Sequence, residues 1–229
     1  MKRSEINQIM RDTVDFLKDQ KFYLPKFAYW TIEDWKNKGE EIKEIVDCQL
    51  GWDITDFGSG NFHEKGLLMF TIRNGSFKDK SKYAKPYCEK LLITEEGQIT
   101  PLHHHYSKME DIINRGGGIL KVELYKSNEK DELTEEKVTV SIDGVRKKFD
   151  PGGIVELEPG DSIYLPSDIY HRFWGKKGYG KILIGEVSTV NDDYVDNKFY
   201  KEVKRFSEIE EDEDPLYLLY DDYKKYVNF

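Results

Sequence analysis

The sequence lacks the features that mark membrane, nucleic-acid-binding and disulfide-rich proteins. No apolar run approaches the roughly 20 residues of a membrane-spanning helix, and the first residues lack the apolar stretch of a signal peptide. Asp and Glu (44) outnumber Lys and Arg (35), and the formal charge of −9 argues against binding to nucleic-acid phosphates. The only cysteines, Cys48 and Cys88, form no CxxC motif. We therefore expect a cytoplasmic protein with neither nucleic-acid nor membrane partners.

Common enzyme signatures are also missing. There is no GxSxG sequence of a serine hydrolase, and the glycines at 116–118 lack the GK[ST] ending of a P-loop. The sequence therefore gives no support for nucleotide binding or for serine nucleophile chemistry.

Short alternating segments dominate the middle of the chain. Val138–Ile142 alternates apolar and polar residues, and Asp143-Gly144 separates it from Val145–Phe149, which predicts a β-hairpin. Similar segments predict further strands at 67–72, 89–93, 99–105, 154–157, 161–165, 171–174 and 181–187. Many short strands at this spacing are typical of an antiparallel sandwich or barrel.

The N-terminal region has helical patterns instead. Apolar residues at helical spacing over 6–17, with Ser4 as a candidate cap, predict a first helix. Thr31, with Asp34 three residues later, predicts the capped start of a second helix that reaches Ile42.

The C-terminal region begins with charge and continues with aromatic residues. Residues 208–214 include six acidic residues, which we interpret as a solvated face. The apolar patch that follows is expected to dock on the barrel or on a partner subunit. We expect a single domain with a helical extension (1–65), a barrel core (66–190) and an aromatic, partly helical extension (191–229).

Four of the five histidines lie in two short segments. Alternate side chains of a strand share a face, so His103 and His105 point together and His104 points away. Glu110 and the distant His171 can complete a set of three nitrogens and one oxygen. Such a set suits a first-row divalent ion that leaves two positions open. The remaining histidines, including His63, are interpreted as packed or exposed residues.

The spacing around these residues resembles the two motifs of the cupin family. Gly97, His103, His105, Glu110 and Gly117 match the first motif with its gaps, and Gly160, Pro166 and His171 match the second. Asp168 and Gly175 depart from the second motif, but neither position is a metal ligand. The resemblance implies an all-β cupin fold, a double-stranded β-helix or jelly-roll barrel. It also implies a metal ion bound by His103, His105, Glu110 and His171.

Longer stretches resemble the D-lyxose isomerase family. They are residues 51–58, 89–92 with 108–118, and 185–188, and the likeness extends over most of the chain. It implies a Mn²⁺-dependent aldose–ketose isomerase that interconverts D-lyxose with D-xylulose and D-mannose with D-fructose. It also implies a homodimer. The ligand types alone do not choose among Mn, Fe, Co, Ni and Zn.

Isomerisation through a cis-enediol moves a proton between C2 and C1 of the open-chain sugar, so the site needs a base. Glu186 shares a strand face with apolar residues, which points it into the barrel and makes it our predicted base. Asp168, three residues before a predicted ligand, is the second candidate, as base or as hydroxyl acceptor. Lys90 and Lys108 are candidates to stabilise the enediolate or to bind hydroxyls.

Two other functions remain open from the residues alone. The same ligand set could serve a non-haem iron dioxygenase, and a cupin could also bind a sugar without converting it. Charged residues near the predicted site favour a polyol over an apolar substrate.

Overall fold

The computed structural model describes residues 1–227, and two antiparallel β-sheets form most of it. The strands are β1 (Gly51–Thr55), β2 (Leu67–Arg73), β3 (Tyr87–Thr94), β4 (Ile99–His105), β5 (Glu110–Gly117), β6 (Leu120–Lys126), β7 (Val138–Ile142), β8 (Val145–Phe149), β9 (Gly153–Leu157), β10 (Ser162–Leu165), β11 (Ile169–Gly175), β12 (Ile182–Thr189) and β13 (Asn197–Phe199). The eight-stranded sheet has the order β1-β2-β3-β12-β5-β10-β7-β8, and the five-stranded sheet has the order β13-β4-β11-β6-β9. The expectation of an all-β core is confirmed.

The main core lies between the two sheets. It combines Leu92, Ile112 and Ile184 from the larger sheet with Val122 and Phe173 from the smaller one. Ile182 and Ile184 of β12 belong to this main core. Leu183 lies between them in sequence and belongs to a second core, on the other face of the larger sheet. Because the first half of β12 is buried on both faces, its alternation there separates an inner barrel face from an outer helix-covered face.

The outer face of the larger sheet is covered by the N-terminal helix α1 (Arg3–Asp19). Its buried residues Ile6, Met10 and Leu17 recur at helical spacing, as predicted. Ser4 is not the cap, because the helix begins one residue earlier, and its hydroxyl donates to Asp212 instead. Among residues 1–227, no helix combines the length and apolar character needed to cross a membrane.

The second helix is shorter than predicted. Thr31 and Asp34 form the expected capping box at the start of α2 (Ile32–Lys36). The helix then ends before Gly39, a residue that destabilises helix interiors. Two further short helices follow, a 3₁₀ turn (Glu40–Ile42) and α3 (Lys43–Asp47).

Four strands were not predicted, namely β1, β5, β6 and β13. Two of them, β1 and β13, lie outside the expected core at 66–190 and join the sheet edges. The end of β5 is rich in glycine, a residue that is depleted in strands. Gly117 there has a φ of +87°, and a Cβ would lie 2.1 Å from the Lys181 carbonyl oxygen. A strand can therefore end in glycines where a neighbouring backbone approaches this closely.

The predicted hairpin is confirmed, with β7 and β8 paired over their full length. Both turn residues have positive φ, +49° at Asp143 and +79° at Gly144. This is the conformation that two-residue hairpin turns require, which explains the Asp-Gly pair.

The acidic segment is not simply a solvated face, because several of its side chains hold the N-terminal helix. Arg3 is fully buried, and its guanidinium donates two hydrogen bonds to Glu211 and two to Asp222. Farther along, Leu219 joins the core beneath α1. The apolar patch therefore docks on the body of the chain, one of the two expected alternatives. The last helix, α4 (Tyr223–Tyr226), follows it.

Replacing Arg3 by alanine should destabilise the fold by about 3 kcal/mol, because it leaves Asp222 buried without its partner. Urea unfolding followed by circular dichroism measures this change. Lys18→Ala removes an exposed pair with Asp15 and is the matched control, expected to change stability little. Equal stability of Arg3→Ala and the control would contradict the assigned role of Arg3.

Candidate active site

Three histidines meet on the inner face of the smaller sheet. His103 and His171 are direct partners across β4 and β11, and His105 lies two residues along β4. Ring centroids are 4.3 Å apart for His103 and His171 and 5.1 Å apart for His103 and His105. One nitrogen from each ring lies within 4.8 Å of the others, so the three could hold a metal ion.

The other histidines lie elsewhere, as the strand alternation predicts. His104 is buried on the opposite face of β4, where its Nε2 is 3.2 Å from Asp131 and its ring packs on Tyr170. His63 is largely exposed and contacts Glu95. Neither belongs to the cluster.

Backbone carbonyls set the orientation of two rings in the cluster. His103 Nδ1 is 2.8 Å from the Pro101 oxygen, and His171 Nδ1 is 3.0 Å from the Ile169 oxygen. A carbonyl oxygen only accepts, so Nδ1 carries the hydrogen and Nε2 keeps a free lone pair. Burial, and then the nearby His171 and His105 rings, hold the pKa of His103 well below its usual range. The ring is therefore neutral, which is the form that binds metals.

Glu110 reaches the cluster from β5 in the facing sheet. Its Oε1 lies 3.0 Å from His171 Nε2 and 3.4 Å from His105 Nε2, and its Oε2 lies 2.6 Å from Lys108 Nζ. Burial alone would raise the pKa of Glu110, but Lys108 and His105 hold it well below its usual range. The carboxylate is thus ionised beside the imidazoles.

The atoms facing one another here lack other partners. Glu110 Oε1, His105 Nε2 and His171 Nε2 are buried without a hydrogen bond among the described residues. Buried polar atoms normally have a partner, and a divalent cation between these atoms would bind all of them. The predicted ligand set therefore fits a metal ion.

Glu186 lies beside this cluster, on the inner face of β12 as predicted. Its Oε1 is 2.8 Å from Lys108 Nζ and 3.8 Å from Lys90 Nζ, and Lys90 is its direct partner across β3. All three side chains are almost completely buried. Burial lowers the pKa of Lys108, but Glu110 and Glu186 outweigh that effect and raise it, so its amine is protonated. The structure thus brings together three of the four predicted catalytic residues.

Asp168 is the exception. Its side chain is exposed in the turn before β11 and does not line the cavity. The turn is held through the Asp168 backbone oxygen, which accepts hydrogen bonds from the amide and the hydroxyl of Ser127. Its position near a ligand in sequence therefore does not bring its carboxylate to the site.

Three further charged residues in this part of the structure were not predicted from the sequence, namely Asp193, Arg205 and Asp53. Asp193 Oδ2 lies 3.3 Å from Lys90 Nζ and 3.2 Å from Arg205 Nη2, and the same Arg205 nitrogen lies 2.5 Å from Asp53. Asp53 could have been noticed as a charged residue between apolar Trp52 and Ile54. Asp193 and Arg205 lie in irregular segments, where no periodicity indicates which way a side chain points.

All of these groups except Asp53 line one cavity. Its apolar walls come from both sheets and include Phe57, Met69, Phe173 and Phe199. A polar floor with apolar walls is typical of a small-molecule site, in which a few charged groups fix the orientation of the ligand.

Two relatives match this chain over almost its whole length. The D-lyxose/D-mannose isomerase of Serratia proteamaculans is 47% identical over 228 residues, covering 99% of this chain and 100% of the relative. The D-lyxose/D-mannose isomerase of Escherichia coli O157:H7 is 43% identical over 227 residues, with the same coverage. These relatives favour an isomerase over the dioxygenase and the non-catalytic sugar-binding protein.

Solved structures confirm the fold class. The L-ribose isomerase of Cellulomonas parahominis superposes with a TM-score of 0.61 at 14% identity, covering 92% of this chain and 98% of that chain. The L-ribose isomerase of Geodermatophilus obscurus gives 0.60 at 15% identity with the same coverage. These superpositions confirm the predicted cupin-type barrel as the fold of this chain.

The match to the family is nearly complete along the sequence. The family model described as D-lyxose isomerase matches residues 1–223. With this match and two full-length relatives, the chain belongs to the D-lyxose isomerase family and is a sugar aldose–ketose isomerase.

Proposed function

We propose that this protein interconverts D-lyxose with D-xylulose and D-mannose with D-fructose, with His103, His105, Glu110 and His171 as metal ligands and Glu186 as the base. One observation carries the proposal: unpartnered ligand atoms converge next to a buried carboxylate that two lysines hold in place. D-Lyxose and D-mannose have the same configuration at C2, C3 and C4, so one site can present the same reacting carbons of either sugar.

A bound divalent ion would supply Lewis-acid polarisation and a template for the oxygens on C1 and C2. The chain's own residues move the proton. Glu186 accepts the carbon-bound proton from C2 of the open-chain aldose and returns it to C1, on the same face of a cis-enediol. The hydroxyl proton on O2 passes to O1, which leaves the carbonyl at C2. Lys108 fixes the position of the Glu186 carboxylate through their 2.8 Å contact.

Negative charge develops on the sugar oxygens while the proton resides on Glu186. The ammonium groups of Lys108 and Lys90 are the cations nearest to Glu186, so they would stabilise this charge in a site of low polarity. The aromatic walls formed by Phe57 and Phe199 would exclude water from the enediol.

Two finer points of the proposal rest on the family resemblance. They are Mn²⁺ as the metal and a homodimer as the assembly. A cytoplasmic location and a single domain also belong to the proposal, but they do not rest on the resemblance. The histidine and carboxylate ligands are compatible with Mn²⁺.

Replacing His171 by glutamine should weaken metal binding by at least about 10-fold, because it removes a ligand nitrogen. Metal content after removal with EDTA and reloading with Mn²⁺, measured by mass spectrometry, tests this. His63→Gln changes an exposed histidine outside the cluster and serves as the control. Equal Mn²⁺ affinity in the two variants would refute the assigned ligand set.

Replacing Glu186 by glutamine should lower kcat for D-lyxose by about 10²–10⁴-fold, because it removes the base and retains the shape of the side chain. Metal content and melting temperature should remain near wild type. Incorporation of solvent deuterium at C2 should decline with kcat.

The matched control for the base is Asp168→Asn, which changes the exposed carboxylate and should leave kcat unaltered. A Glu186→Gln enzyme with most of the wild-type rate, or an inactive Asp168→Asn enzyme, would reverse the assignment.

A further inference from the structure

Arg205 has binding capacity in the cavity that its ion pairs leave unused. Its Nη2 contacts Asp53 and Asp193, whereas its Nη1 is buried without a hydrogen-bond partner among residues 1–227. The side chain is 12% exposed and lines the same cavity as Glu186. A buried N–H group without a partner is unfavourable unless a ligand supplies an acceptor.

The position of Arg205 indicates which part of a substrate it would meet. Ion pairs run from Glu186 to Lys90, from Lys90 to Asp193 and from Asp193 to Arg205. The reacting carbons must lie beside Glu186, at one end of this series. Arg205 lies three ion pairs farther along the series and lines the same cavity.

We propose that Arg205 is a specificity-determining residue whose Nη1 donates a hydrogen bond to a sugar hydroxyl beyond C4. Asp53 and Asp193 orient the guanidinium for this contact. This inference rests on the proposed function. It assigns to Arg205 the selection of sugars with five or more carbons. Arg205 takes no part in the proton transfer.

L-Erythrose separates this role from a structural one. It is the four-carbon aldose with the configuration of D-lyxose at C2 and C3, so it presents the same reacting carbons without the distal hydroxyl. Loss of a charged hydrogen bond corresponds to about 10- to 100-fold in affinity. Arg205 variants should therefore lose about 10- to 100-fold in kcat/KM for D-lyxose, mainly through KM, and less than about threefold for L-erythrose.

Two variants make the result interpretable. Arg205→Met combined with Asp53→Asn removes the guanidinium without leaving both carboxylates unpaired. Arg205→Lys keeps the charge, but both carboxylates compete for its single ammonium group. Melting temperatures report whether each variant folds, and Arg205→Lys decides the question if the double variant does not fold. Equal losses for D-lyxose and L-erythrose in a folded variant would overturn the proposal.

A binding measurement separates this proposal from the proposed function. Calorimetry with xylitol and erythritol, which cannot be isomerised, should show that the wild type prefers xylitol and that the Arg205 variants lose this preference. An unchanged preference would overturn the role of Arg205 even if the isomerase is active. Absence of ketose formation from wild type with every aldose would instead overturn the proposed function, while the polyol result still decides the role of Arg205.

Discussion

Seven charged side chains alternate in sign along the inside of the barrel, and the site depends on this arrangement. In order they are Glu110, Lys108, Glu186, Lys90, Asp193, Arg205 and Asp53. Burying one such charge alone is costly, because an apolar interior cannot replace its hydration. Each group here lies next to at least one of opposite sign. The series keeps ionised carboxylates and lysines inside a barrel whose other lining residues are largely apolar.

This arrangement explains why the two sheets have different roles. The smaller sheet supplies the three histidines, whose neutral rings can be buried without a counter-charge. The larger sheet supplies Glu110, Lys90 and Glu186 on neighbouring strands. The two sets meet only because the sheets face each other across one core. The proposed metal site and the proposed base are therefore adjacent but lie on separate elements.

The ends of the chain complete the interior. Asp53 comes from β1 and Arg205 from the segment after β13, so the distal part of the cavity is built outside the expected barrel core. Arg3 in turn holds the acidic segment that follows Arg205. The extensions therefore contribute to the site through Asp53 and Arg205 and to stability through Arg3.

Local patterns in the sequence determined much of this protein. Alternation correctly placed His103 and His105 on one face and Glu186 inside the barrel, because side-chain direction in a strand follows from position alone. Turn residues located the hairpin at Asp143 for the same local reason. Contacts between distant segments were decided only by the tertiary structure. Proximity in sequence suggested Asp168 for the site, yet its turn faces solvent, whereas Asp193 and Arg205 reach the cavity from irregular segments that carry no periodic signal. Their positions depend on long-range ion pairs, which no local spacing encodes.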